Sequence, residues 1–333
     1  MRSRAHPEPI GTNPRPAGDA DSSRNLAIDR LRGVLIILMV GGNYLSGIQA
    51  VPAFLKHAPD IGFTIADSVA PAFVFVIGLN FGPSLARRTR QGAGAAYRHF
   101  LRRYLALIGI GAVLSAGQTI VTGVSTDWGV LQAIGAAGLI CLIVIRLPAW
   151  TRVLIGLLML ICYQYLLDAW ALPAVLGSVQ GGLFGTLSWG ALLILSTAVA
   201  EAWRTGSGPY GIVCAALVLA AAISASIVPV SKVRVSLSFV LISLAISAIA
   251  FLLFDLAARV VAKRAGFLCW WGENPLTLYL LHLVVLGLFM LPPVAWWYAA
   301  APLWLAAAQL VVILAAMSAV AWWLRGRRVA IGV

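Results

Sequence analysis

The chain has 333 residues, of which 61% are hydrophobic and only 11% charged, against roughly 25% charged in an average soluble domain. Such a composition cannot clothe a water-soluble surface, and it excludes two soluble domains as the reading of this length, because nearly every window of about 20 residues is a candidate membrane span. The net charge of +13 raises nucleic acid as a partner, but the basic residues cluster between apolar runs, so the charge is topological and nucleic-acid binding is set aside.

Residues 1–24 are rich in Pro, Gly, Ser and Arg and contain no apolar stretch. They read as a disordered basic cytoplasmic tail, not a signal peptide, and residues 25–333 as one transmembrane domain. Apolar runs place spans at 31–48, 64–85, 101–121, 130–145 and 152–167, then at 187–203, 209–228, 237–257, 267–291 and 302–324. The expected fold is therefore an all-α integral membrane protein, a polytopic bundle of about ten transmembrane helices. Arg2, Arg4, Arg15, Arg24, Arg30 and Arg32 precede or open the first span, and Arg87, Arg88, Arg90, Arg98, Arg102 and Arg103 separate the second from the third. Arg146 and Arg152, then Arg204, then Arg259, Lys263 and Arg264, and finally Arg325, Arg327 and Arg328 occupy every second loop thereafter. Only Lys56, Lys232 and Arg234 fall on the other side. By the positive-inside rule the basic side is cytoplasmic, and both termini lie there.

Trp128, Trp150, Trp170, Trp189, Trp203, Trp296, Trp297, Trp322 and Trp323 lie at expected span ends, as rings at the headgroup level do. Cys141, Cys162, Cys214 and Cys269 show no disulfide or zinc spacing and read as small apolar packers.

A charge at the bilayer centre costs roughly 2.5–3.5 kcal/mol on insertion scales, so polar residues kept in apolar runs carry the most information. They gather at two places. The first runs from Asp29 and Arg32 through Asn43 and His57 to Asp67. His57, in the first outer loop, is either a solvated loop histidine or a base able to take and return a proton near neutral pH. Asp67 has capping-box spacing from Thr64, a helix-start role that leaves it free to orient an imidazole in the preceding loop. Asn43, about 18 Å along its span, suits an interhelical hydrogen bond. Asp29 and Arg32 suit an interfacial pair, and Arg32 also suits a phosphate arriving from the cytoplasm. The second place is Glu273 and Asn274 with Tyr279 and His282, where Asn274, Leu278 and His282 follow i, i+4, i+8 along one stripe. Glu273 favours the dipole at a helix start. His282 should lie deep in the membrane, where ionisable groups are functional by default.

Ile28-Asp29-Arg30-Leu31-Arg32-Gly33, then Met39, Asn43, Lys56-His57-Ala58, Gly62-Phe63-Thr64-Ile65-Ala66-Asp67 and Pro71-Ala72-Phe73-Val74-Phe75-Val76-Ile77-Gly78 resemble, in order and spacing, the heparan-alpha-glucosaminide N-acetyltransferase family of transmembrane acyltransferases. Trp128-Gly129-Val130-Leu131-Gln132 is similar to a second block of that family, and Gly272-Glu273-Asn274-Pro275-Leu276 with Tyr279 and His282 to a late one. The sequence departs from the pattern at Pro59-Asp60-Ile61 after the His-Ala pair, and at Ala133 after Gln132.

The resemblance implies transfer of an acyl group, usually acetyl, from coenzyme A on the cytoplasmic side to an acceptor reached from the outer side. It makes His57 the catalytic histidine, Asn43 its companion and Asp67 its support. Asp29, Arg32, Gln132, Glu273, Asn274, Tyr279 and His282 form the candidate substrate- and coenzyme A-binding set, with no metal. The implied partners are acetyl-CoA or another acyl-CoA, an amine or hydroxyl acceptor on a sugar, glycan, lipid or small metabolite, and the bilayer; a homodimer stays open. The alanine-rich composition suits a bacterial inner membrane. The rival class is a polytopic transporter or flippase, which should show repeat symmetry and matched broken helices that the sequence does not display.

Overall fold

The computed structural model describes residues 25–122, 128–261 and 266–327; the basic tail at 1–24, and Lys263, Arg264 and Arg328, lie outside them. Among the described residues the regular structure is helical, and the one extended pairing is an isolated antiparallel bridge between Ile61 and Ser231. The helices are α1 (Leu26–Leu45), α2 (Ile65–Thr89), α3 (Ala93–Thr122), α4 (Val130–Val144) and α5 (Ala149–Leu166), which runs through a π turn at Leu167–Ala171 into α6 (Leu172–Leu176). Then come α7 (Gly182–Thr205), α8 (Ser207–Ile227), α9 (Leu237–Val260), α10 (Phe267–Glu273), α11 (Pro275–Met290) and α12 (Leu303–Gly326).

A helix stands at each of the ten expected spans, but the criteria for crossing a membrane are met more narrowly. Among the described residues, seven helical segments are long and apolar enough to cross, or eight if the bent pair α10–α11 counts as one span. α4 has 15 residues, and α1 carries Asp29, Arg30 and Arg32 in its first two turns. The ninth expected span is not continuous. It breaks at Asn274 with a bend of 93°, because the residue before a proline is driven out of the helical region while Pro275 is well suited to open a new helix. Asn274 accordingly sits at φ −125, ψ 60.

α7 is the central helix, with 83% of its apolar window buried against 22% for α8 and α12. It packs on α2, α4, α5, α6, α8 and α9. Trp189 on α7, expected at the headgroup level, is instead in the core at 1% exposure and donates to the Gln180 carbonyl at 3.2 Å. Cys141, Cys214 and Cys269 are buried and Cys162 is exposed, all four unpaired.

α1 starts where Asn25 caps it, its Oδ1 accepting from the N–H groups of Ala27 (2.9 Å) and Ile28 (3.2 Å). α1 and α10 then cross at backbone contact. A Cβ added to Gly33 would stand 2.0 Å from the Leu268 carbonyl oxygen, and one added to Gly272 would stand 2.0 Å from that of Asp29. The two separate polar motifs of the sequence are thereby laid against each other.

At the opposite end, the α1–α2 loop is tied to the α8–α9 loop. Gly62 donates to the Val230 carbonyl (2.8 Å), Ser231 Oγ to Asp60 (2.7 Å), and the Arg234 guanidinium grips both Asp60 oxygens. Val235 holds a left-handed φ of +49, unusual for a β-branched residue. It is fixed there by its N–H to the Lys232 carbonyl (3.1 Å) and by Ser188 Oγ donating to its own carbonyl (2.7 Å).

Candidate active site

Asp67 is the best-anchored polar group of the α1–α2 end. Its side chain is fully buried. One oxygen, Oδ2, accepts from the backbone N–H groups of Ala58 (3.2 Å) and Thr64 (3.1 Å) and from the Thr64 hydroxyl (3.0 Å). The other, Oδ1, lies 2.8 Å from His57 Nδ1. A carboxylate can only accept, so Nδ1 carries the proton, and in the neutral imidazole Nε2 is left with a lone pair. His57 is 38% exposed, and its exposure is toward a cavity. Lys232 Nζ stands 3.0 Å from His57 Nδ1, 3.3 Å from Nε2 and 3.7 Å from Asp67 Oδ1. Burial holds the Lys232 ammonium below its ordinary value, with the Asp67 carboxylate working in the opposite direction. Nearby, the hydrogen bond from Arg234 holds the Asp60 carboxyl below the usual carboxylate range, and Asp60 in turn raises Arg234.

Asn43 and His282 meet across helices α1 and α11. His282 Nδ1 donates to the Tyr279 carbonyl, so its Nε2 accepts from Asn43 Nδ2 at 3.0 Å. His282 is fully buried. It orients Asn43 and does not itself reach the cavity.

The cavity has a volume of about 750 Å³ and runs the length of the bundle. Asn43, His57 and Lys232 line one end; Asp29, Arg32, Arg87, Arg103 and Glu273 line the other; Tyr279 and Phe73 stand on its wall. At the arginine-rich end Arg32 donates to Asp29 (3.2 Å) and to the Gly272 carbonyl (3.1 Å), while Glu273 pairs with Arg325 (3.1 Å). The Nε of Arg103 is buried with no hydrogen-bond partner. An unanswered guanidinium N–H and clustered positive charge suit a phosphate-bearing ligand.

Three of the expected binding residues, Gln132, Asn274 and His282, lie off the cavity lining. Gln132 is buried and closes the start of α4, its Oε1 accepting from Gly129 N (2.8 Å) and its Nε2 donating to Ser115 Oγ (3.2 Å). Asn274 occupies the break between α10 and α11 and is 3% exposed. Conversely, Arg87, Arg103 and Lys232 appear in the sequence only as topological charges, yet they line the cavity. Among the described residues no group of three or more His, Cys, Asp or Glu is arranged to hold a metal.

The family described as heparan-alpha-glucosaminide N-acetyltransferase, catalytic, matches over residues 24–180. The human heparan-alpha-glucosaminide N-acetyltransferase is 33% identical over 120 residues, a match covering 33% of this chain and 17% of that protein's length. His57, Asn43 and Asp67 all fall inside the stretch that matches the acetyltransferase family, whereas Lys232, Glu273, Tyr279 and His282 lie beyond it. The apolar helices suit a multi-pass membrane protein.

Proposed function

We propose that this protein transfers an acyl group, in the first instance acetyl, from acyl-CoA supplied at the arginine-rich, cytoplasmic end of the bundle to an amine or hydroxyl acceptor reaching the opposite end. The observation that carries the reading is the single cavity with arginines at one end and a carboxylate-anchored histidine at the other. Arg32, Arg87 and Arg103 hold the phosphates of coenzyme A, and the pantetheine arm lies between α1, α2 and α11, with its thioester near Asn43 and His57. The acceptor's lone pair bonds to the thioester carbon, the carbonyl π pair moves onto oxygen, and His57 Nε2 takes the acceptor's proton. Collapse re-forms the carbonyl and expels the sulfur with its bonding pair, and the proton on His57 passes to the thiolate. Asp67 keeps the imidazole in the required tautomer throughout, the task of the third member in any nucleophile–base–acid relay.

Membranes containing the protein should release free coenzyme A thiol from acetyl-CoA when given an amino sugar or another amine or hydroxyl acceptor, with acetyl recovered on the acceptor. His57→Ala should abolish this. Full activity in that variant, with Asn43→Ala equally silent, removes the site.

One observation favours a second reading. The helix break at Asn274, bent by 93°, is a device of transporters, which place broken helices at a midplane site. Accumulation of a solute in sealed vesicles without covalent change selects transport over transfer.

A further inference from the structure

The α8–α9 loop contributes a group to this site that neither the motifs nor the family match supplies. Its Lys232 lines the cavity beside His57 with a side chain only 13% exposed. A lysine that merely neutralised Asp67 would sit closest to the carboxylate. Here the ammonium is nearer both imidazole nitrogens, at 3.0 and 3.3 Å, than Asp67 at 3.7 Å. The two ring nitrogens flank one carbon, so near-equal approach to both is not along the lone pair of either, and the ammonium's donors are not consumed by the ring. Asp67 has its other oxygen filled by Ala58 and Thr64. The loop also holds Lys232 in place: Arg234 clasps Asp60, Gly62 bonds to Val230, and Val235 is locked in its left-handed conformation directly after.

We propose that Lys232 is the electrostatic partner of the reaction, a cation at the His57 end of the cavity that meets the negative charge developing on the acyl carbonyl oxygen as the acceptor attacks. The inference rests on the acyl-CoA reading given above. Any atom within hydrogen-bond reach of His57 Nε2 lies no more than about 6 Å from an ammonium 3.3 Å from that nitrogen, within the range at which opposite charges act on each other. With Lys232 and Asp67 of opposite charge and the imidazole neutral, the cluster is balanced before attack. The oxyanion then arrives where a preorganised positive charge already stands, the arrangement that stabilises such intermediates most effectively. No covalent bond to Lys232 forms, and its proton stays on nitrogen. One N–H of Asn43 is already committed to His282, which leaves its amide a single N–H for this task.

The test uses binding, so no acceptor need be known. Full-length protein in nanodiscs is titrated with two unreactive thioethers, S-carboxymethyl-CoA, which carries a negative charge next to the acyl position, and S-propyl-CoA, its neutral counterpart. Wild type should prefer the carboxymethyl compound at least about tenfold, the scale of a hydrogen bond to a charged group. Lys232→Met should lose that preference while binding S-propyl-CoA as wild type does, which also establishes that it is folded. Lys232→Arg should retain most of the preference. Equal affinities in wild type, or an undiminished preference in Lys232→Met, overturn the role of Lys232 and leave the acyl-CoA reading standing. Failure of wild type to bind either compound overturns both.

Discussion

Replacing Asp67 by asparagine changes no volume, yet it should stop the chemistry for a reason that can be worked atom by atom. Oδ2 accepts from two backbone N–H groups and a hydroxyl, so the amide must keep its oxygen on that side and turn its NH₂ toward His57. Facing a donor at 2.8 Å, Nδ1 must give up its proton, and the imidazole carries it on Nε2 instead. The cavity then meets an N–H where a lone pair is required. General-base catalysis contributes typically 10²–10⁴-fold, and the loss in turnover should fall in that range. Stability should also drop by about 1.5–3 kcal/mol, the worth of a hydrogen bond to a charged group, since the fully buried side chain has no water to replace it. The assay is coenzyme A thiol release at saturating acetyl-CoA, alongside acetyl-CoA binding, which should be unchanged. A folded Asp67→Asn protein turning over within threefold of wild type refutes the tautomer argument.

The α1–α10 crossing makes Gly272→Ala a fold-level lesion, because the new methyl meets the Asp29 backbone carbonyl and no side chain can rotate aside. Overpacking of this kind costs typically 1–3 kcal/mol, and an unchanged thermal midpoint in detergent would contradict the crossing. The Asp60–Arg234 clasp should weaken in acid. Because Asp60 titrates below the usual carboxylate range when clasped, its contribution is complete above the unfolded value and disappears as pH falls through the lower, folded one. Hydrogen exchange across residues 56–63 should quicken over that interval, and Asp60→Asn should reproduce the loosening at neutral pH. Lys232 is charged in the working state and held below the ordinary lysine value, so transfer should decline on the alkaline side as pH rises through that lowered value. The titratable groups around it are His57 and Asp67, with Asp60 and Arg234 closed on each other. Lys232→Arg, which cannot lose its proton, should keep its rate at high pH; a parallel decline in both proteins would assign the limb to another group.

Hydropathy located the helices well because lipid and core impose the same demand on every turn, and a run such as 237–257 has one interpretation. It located the break at Asn274 poorly, although the Asn-Pro dipeptide was a visible signal, because apolar composition continues across it. The His57–Asp67 pair was legible because ten residues of loop and a helix start bring the two together locally. Lys232 was not, since it meets His57 across 175 positions of sequence, and pairing of two loops leaves no periodic trace in either. Gln132 illustrates the reverse difficulty: three residues after Gly129, it has the spacing of a residue that closes a helix start, and that local bond is the one it makes. Trp189 sits where interfacial rings are common, but the central position of α7 depends on neighbours from six other helices.

The approach of α1 to α10 and α11 also sets an order of events during synthesis. Asn43 finds its partner 239 residues later, at His282, and Gly33 finds its own at Leu268. At about 5–20 residues per second, α1 must wait on the order of tens of seconds for them. Through that interval its Asp29, Arg30 and Arg32 and the amide of Asn43 have only lipid, water and early neighbours to satisfy them. The protein's active end is thus closed by a segment that leaves the ribosome 239 residues after Asn43, and a chain arrested before residue 282 would hold every residue of the family-like segment without a finished site.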